Sequence, residues 1–155
     1  MIPKEILNEM IVRSVELEDI GQLSKLFDDY RVFYEKESDL DGAKRFLTER
    51  IEKNESVIYV ADSGNALCGF VQLYPIFSST RMNRLWLLND LFVNKLHRGK
   101  GISKKLIGKA KELARETKSS GLILETAKNN IVGNQLYLRT DFSLDTDHNY
   151  YSWEE

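Results

Sequence analysis

The run from Leu88 to Ser103 (Leu-Asn-Asp-Leu-Phe-Val-Asn-Lys-Leu-His-Arg-Gly-Lys-Gly-Ile-Ser) constrains this chain more than any other stretch. It opens as an apolar segment of β character and breaks into a short basic loop carrying Gly99 and Gly101. It continues into an amphipathic repeat, with Ile102, Leu106, Ile107, Ala110, Leu113 and Ala114 at helical spacing. Strand, glycine loop and helix start, in that order, make an anion-binding device. Glycines let the backbone adopt positive φ, so that N–H groups converge, and the helix dipole adds partial positive charge at the same point.

Bulk properties narrow the field. A chain of 155 residues with 42% hydrophobic and 30% charged residues has enough apolar material for one core and none of the bias of a disordered chain. A formal net charge of -2 argues against a general nucleic-acid or membrane-surface binder. The single cysteine, Cys68, cannot close an internal disulfide, and no Cys/His spacing suits a metal. Residues 1–9 read as an N-terminal extension without a signal-peptide core, and residues 10–155 as one domain. With no apolar run of membrane-spanning length, a cytoplasmic protein is expected.

In chain order, residues 10–15 predict a strand, and the apolar spacing from Glu18 to Tyr34 a helix. Residues 40–53 predict a second helix. Residues 56–61 and 66–74 predict a hairpin around Asp62-Ser63-Gly64-Asn65, with Pro75 ending its second strand and residues 76–83 forming a polar connection. Residues 84–93 predict the strand before the glycine loop. After the helix beginning at Ile102, residues 122–126 predict a buried strand and residues 130–139 a short helix. Residues 142–144 and 149–153 predict closing strands. The order is βααβββαβαββ, an α/β (α+β) domain.

Two motifs on these elements resemble the GCN5-related N-acetyltransferase (GNAT) superfamily. Its pyrophosphate signature, Gln/Arg-x-x-Gly-x-Gly/Ala at a helix start, appears as Arg98-Gly99-Lys100-Gly101-Ile102-Ser103, with serine at the final small position. Its second feature appears as Asn130-Ile131-Val132-Gly133-Asn134-Gln135-Leu136-Tyr137, followed by Asp141-Phe142. The resemblance covers residues 10–155. It implies a mixed central sheet of six to seven strands flanked by about four helices, with acetyl-CoA as co-substrate and no metal. The segments 88–93 and 30–34 look most like the small-amine and histone/polyamine branch.

The resemblance implies these roles. Arg98, Gly99, Lys100, Gly101, Ile102 and Ser103 hold the pyrophosphate, and the backbone of Leu91, Phe92 and Val93 holds the pantetheine arm. An N–H of Leu91 or Phe92 serves as donor to the reacting carbonyl. Asn130 contacts the cofactor arm or caps its own helix. Tyr137, which by helix position alone reads as a core residue, protonates the departing thiolate; a phenol with a pKa of about 10 suits that task. Tyr30, Phe33, Tyr34 and Glu35 form the acceptor wall, and aromatics with carboxylates favour a cationic amine.

An aliphatic amine, with a pKa of about 10.4, must lose a proton before it attacks. Asn89 stands where relatives carry a glutamate, and Asp90 beside it reads as substrate-binding or structural. Proton loss through ordered water, without one essential base, is the expectation. The chain is thus expected to acetylate a small primary amine directly, without nucleic-acid or membrane partners. Alternatives are acetylation of a protein lysine or N-terminus, or a non-catalytic acyl-CoA-binding domain. A nucleotide-binding reading lacks Walker or GxGxxG spacing. The segment Tyr150-Tyr151-Ser152-Trp153 is a candidate homodimer interface.

Overall fold

The computed structural model describes residues 9–155; the extension expected over residues 1–9 lies, but for its last residue, outside them. The described residues form β1 (Ile11–Ser14), α1 (Ile20–Phe33), α2 (Leu40–Glu52), β2 (Val57–Asp62), β3 (Leu67–Ser78), β4 (Asn83–Val93), α3 (Ile102–Glu116), β5 (Leu122–Ile123) and α4 (Ile131–Arg139). Residues up to Glu125 make one compact unit and Thr126–Glu155 a second.

In the first unit the strands lie in sequence order. The first four are antiparallel, and β5 joins β4 in parallel. The β2–β3 hairpin turns where expected: the Asp62 carboxylate accepts from the Gly64 N–H at 2.7 Å, and Ser63 N–H donates to the Ala66 carbonyl. Side chains alternate across the sheet. Ile58, Val60, Phe70 and Phe92 share one core cluster with Ile20, Leu23, Leu26 and Phe27 of α1 and Ala43 and Leu47 of α2. Tyr59, between Ile58 and Val60, faces the other way, where Lys109 of α3 lies over its ring at 5.8 Å. Helices α1 and α2 therefore cover one face and α3 the other. The stripe of α3 (Ile102, Leu106, Ile107, Ala110, Leu113, Ala114) is buried as the spacing predicts, each large member contributing roughly 1.5–3 kcal/mol.

Buried Asp28 ties α1 to the start of α2, accepting from the Ser38 hydroxyl at 2.6 Å and the Asp39 N–H at 2.8 Å. Ser38's hydrogen bond is the main cause that holds its carboxyl below the ordinary range; the Asp39 amide and Arg31 add to it against the cost of burial. Asp39 in turn caps α2 through the Gly42 N–H.

Three expectations need correction. Pro75 does not end its strand, since β3 continues to Ser78, with Pro75 opposite Trp86. The β2 ladder stops at Leu73, so from Tyr74 onward β3 has an open edge, where a missing N–H costs no ladder bond. The strand expected over residues 122–126 shrinks to two residues, because β5 meets β4 only at Trp86 and Leu87. Residues 142–144 and 149–153 form no strand, so the described residues hold five strands, not six or seven. Leu144, Tyr150, Tyr151 and Trp153 are exposed, and alternation without a paired edge does not make a sheet.

Candidate active site

The glycine loop has the geometry its sequence demands. Gly99 and Gly101 both adopt φ of 77°, a left-handed conformation natural to glycine, and no heavy atom lies within 4 Å of where a Cβ would stand on either. Gly101 is the N-cap of α3, and no side chain caps that helix. Helices α2 and α4, by contrast, are capped by their own Asp39 and Asn130. The first amides of α3 are thus left to an external acceptor, beside an open approach that a Cβ would fill. Residues 98–103 fit a pyrophosphate on that ground. Ile102 is buried and anchors the helix start, Ser103 sits half-buried in the first turn, and Lys100 is exposed. The Arg98 side chain turns back toward β4. Its Nε donates to the Val93 carbonyl at 3.0 Å, and its guanidinium lies 5.7 Å from the Phe33 ring and 5.6 Å from the Phe92 ring.

Strand β4 loses its second strand partner where the site is expected. Its ladder with β5 ends at Leu87, and among the described residues no strand pairs with that edge from Leu88 to Val93. The Asn94 N–H donates to Cys68 of β3 at 2.8 Å. By the two-residue period, Phe92 and Asp90 point their backbone groups toward β3 as well, and Leu91 and Val93 point theirs to the open edge. Of Leu91 and Phe92, only Leu91 turns its N–H away from β3.

A bulge sits just before this segment. Leu73 pairs with Leu88 and Gln72 with Asp90, which leaves Asn89 as the extra residue. Asn89 is exposed, whereas Asp90 is only 5% exposed. The Asp90 carboxylate accepts from Gln72 Nε2 at 2.8 Å and from Asn89 Nδ2 at 3.1 Å. Gln72 has no exposed surface, and its Oε1 accepts from Ser56 Oγ at 2.8 Å. Burial pushes the Asp90 carboxyl up, against the opposing influence of Gln72, Asn89 and Tyr30, which favours its charge. Tyr74 is pushed up to about 12 by burial first and by the Asp90 charge second.

Above this carboxylate stands the aromatic end of α1. The Tyr30 ring lies 5.9 Å from Phe70, 6.1 Å from Phe92 and 5.0 Å from Tyr34, and its hydroxyl reaches the Asn89 carbonyl at 3.5 Å. Phe33 meets Tyr34 edge-on, and both are exposed. Glu35, just past the helix, has φ of 61° and is exposed. The structure therefore gathers Tyr30, Phe33, Tyr34, Asn89, Asp90, Phe92 and Arg98 at one end of the sheet. Gln72, Ser56 and Tyr74 were missed from sequence. A glutamine inside the apolar run from Leu67 to Leu73 was the available signal, because a buried amide needs partners.

In the second unit, the Asn130 side chain accepts from the Gly133 N–H at 3.1 Å and donates to Thr126 Oγ1 at 2.9 Å, so it caps α4. Gly133 is required for this closure: a Cβ there would run into the Asn130 amide. Tyr137 is half-buried, with its ring edge-on to Phe142 at 5.7 Å.

Comparison with known proteins agrees with this geometry. Residues 23–142 match the Acetyltransferase (GNAT) family. The chain is 40% identical over 137 residues to "Uncharacterized N-acetyltransferase YhfO" of Bacillus subtilis (strain 168), covering 88% of this chain and 92% of that one. It superposes on the crystal structure of a probable acetyltransferase with a TM-score of 0.88 and 35% identity, over 94% of this chain and 98% of the other. It shares its fold with a predicted acetyltransferase from Clostridium acetobutylicum solved with acetyl-CoA (TM-score 0.76, 17% identity, 93% and 96% covered). The chain belongs to the GNAT acetyltransferase family and is an acetyl-CoA-dependent N-acetyltransferase.

Proposed function

We propose that residues 10–155 act as one catalytic domain that transfers acetyl directly to a small cationic amine, of polyamine-like character, in a ternary complex. The observation that carries this reading is the nearly buried Asp90 carboxylate beside the aromatic end of α1, where the Tyr30 hydroxyl reaches the adjoining Asn89 carbonyl. A carboxylate beside aromatic rings attracts an ammonium group. Neither a neutral nor an anionic acceptor would gain from it.

Acetyl-CoA supplies an activated acetyl thioester. The amides of residues 99–103 and the start of α3 hold its pyrophosphate, and the open edge of β4 accepts its amide-bearing arm as a further strand would be accepted. The Leu91 N–H, aimed at that edge, donates to the carbonyl oxygen as negative charge develops there. The neutral amine nitrogen bonds to the carbonyl carbon, the carbon–sulfur bond breaks, the Tyr137 hydroxyl gives its proton to the sulfur, and the proton shed by the nitrogen restores the phenol through solvent. Asn130 serves this reaction by holding the start of α4.

A panel of diamines, polyamines, amino acids, aminoglycosides and lysine peptides, followed by release of CoA thiol, tests the reading. Turnover is expected with small di- and polycations and should fall about 10²-fold or more in Tyr137→Phe. Preference for lysine peptides over every small amine would refute the acceptor class. Acetyl-CoA binding without turnover on any amine would refute the acceptor reading altogether.

A further inference from the structure

Arg98 belongs by position to the glycine loop, immediately before Gly99, yet its side chain turns back onto β4. Its Nε donates to the Val93 carbonyl at 3.0 Å, and its guanidinium rests 5.6 Å from the Phe92 ring and 5.7 Å from the Phe33 ring. The direction of that carbonyl follows from the ladder. Gln72 pairs with Asp90, Phe70 with Phe92, and the Asn94 N–H donates to Cys68, so by the two-residue period Val93 directs its backbone groups away from β3. They face the side of β4 that β5 leaves after Leu87, the side to which an amide-bearing arm would add as a strand. Arg98 thus fills, with a donor of its own chain, an acceptor that the N–H groups of the arm would need.

The hold is of a kind that can be released. Arg98 is exposed, its backbone is in an ordinary extended conformation (φ -71°, ψ 156°), and among the described residues it forms no ion pair. One hydrogen bond to a neutral carbonyl and two ring contacts are weaker than the paired, charge-assisted hydrogen bonds that a guanidinium makes to phosphate. Because Gly99 follows directly, rotation about side-chain bonds is enough to carry the guanidinium from β4 toward an anion at the start of α3. Lys95, Lys100, Lys104 and Lys105, the other cations around this turn, are exposed, and none of them holds a β4 carbonyl.

We infer that Arg98 is a donor-specificity residue: its side chain takes the place of the pantetheine arm on β4 and gives way only to a donor that also carries phosphate. This rests on the reading of the β4 edge as the seat of that arm. An acyl thioester without phosphate must break the Arg98–Val93 hydrogen bond and leave the guanidinium with no new partner but water. A donor with a pyrophosphate supplies the partner as it takes the carbonyl. Selection of acyl-CoA over short thioesters of the same arm then comes from competition at one carbonyl, in addition to what the glycine loop gains from phosphate. No covalent bond changes in this exchange, and the guanidinium stays charged throughout.

The test divides the donor into inorganic pyrophosphate and pantetheine and titrates each calorimetrically into wild type and Arg98→Met, which keeps a flexible stem but has no Nε and no charge. Arg98→Met should bind pantetheine about 3–10-fold more tightly, because no side chain competes for the Val93 carbonyl, and pyrophosphate about 10-fold more weakly. In wild type, saturating pyrophosphate should tighten pantetheine binding by about the same factor, and pantetheine should tighten pyrophosphate binding equally, since coupling between sites is reciprocal. In Arg98→Met the two should bind independently. Pantetheine is uncharged, so direct attraction between the ligands does not produce such coupling.

Pantetheine affinity that is equal in both proteins, or lower in Arg98→Met, overturns the role of Arg98 and leaves the seat of the arm standing. Pantetheine that binds neither protein, while CoA binds wild type, overturns the seat and the role together. If circular dichroism shows that Arg98→Met does not fold, the coupling in wild type alone decides, and independent binding of pyrophosphate and pantetheine there overturns the proposal.

Discussion

Gly101 and Gly108 allow one chemical change, glycine to alanine, to be made at both ends of a physical argument on the same helix. Gly101 is the N-cap of α3 at φ of 77°, and Gly108 lies within the helix. Neither has a heavy atom within 4 Å of an added Cβ, so packing is removed from the comparison. At Gly101 the Cβ imposes a left-handed backbone penalty of roughly 1–2 kcal/mol, and the loss of unfolded-chain freedom offsets part of it, leaving a net cost of about 1 kcal/mol. At Gly108 the same change should stabilise the helix by roughly 0.5–1 kcal/mol.

The two variants should therefore differ by roughly 2 kcal/mol in stability. At about 2–4 °C per kcal/mol for a chain of this size, that separates their Tm values by roughly 4–8 °C, on opposite sides of wild type. Calorimetric titration with acetyl-CoA adds a second axis. Gly101→Ala should bind it at least 10-fold more weakly, an order-of-magnitude loss equivalent to about 1.4 kcal/mol, because the new methyl group occupies the open approach to the α3 amides. Gly108→Ala should bind it as wild type does. Equal Tm shifts in the two variants would refute the backbone argument, and wild-type affinity in Gly101→Ala would refute the cradle.

Two further outcomes follow from the buried carboxylates. Asp28 is held below the ordinary carboxylate range, so its contribution is present above the unfolded pKa of about 3.9 and is lost as pH falls through its lower folded value. Asp28→Asn should lower Tm at pH 7 and flatten its decline below about pH 4, read from melting curves across that range; a parallel offset at all pH values would contradict this. Asp90 has the opposite sign: with its folded pKa raised, its favourable contribution is present below the unfolded pKa and is lost as pH rises through the folded one. The Tm of Asp90→Asn relative to wild type should therefore increase from acid to neutral pH, and a relative Tm that decreases over that interval would show the assignment to be wrong.

Local features of this protein were legible in its sequence because their causes are local. The α3 stripe, the Asp62–Asn65 hairpin and the left-handed glycines at 99 and 101 each follow from residues a few positions apart, and each stands where the spacing puts it. The aromatic end of α1 and the strand leading into the glycine loop were visible for the same reason. What pairs with what was not. Whether Pro75 could remain in a strand depended on where β2 stops, and whether residues 142–153 became strands depended on an edge being there to receive them. The role of Asp90 was decided by Gln72, distant in sequence, and by Ser56 behind it. A carboxylate's chemistry depends on which donors and how much water surround it, and only the tertiary structure brings those groups together. Neighbouring residues were enough to set the left-handed glycine loop and the motifs that resemble the family. Contacts between distant segments decided that β5 leaves β4 after Leu87 and that a carboxylate braced by Gln72 lies beside the aromatic end of α1.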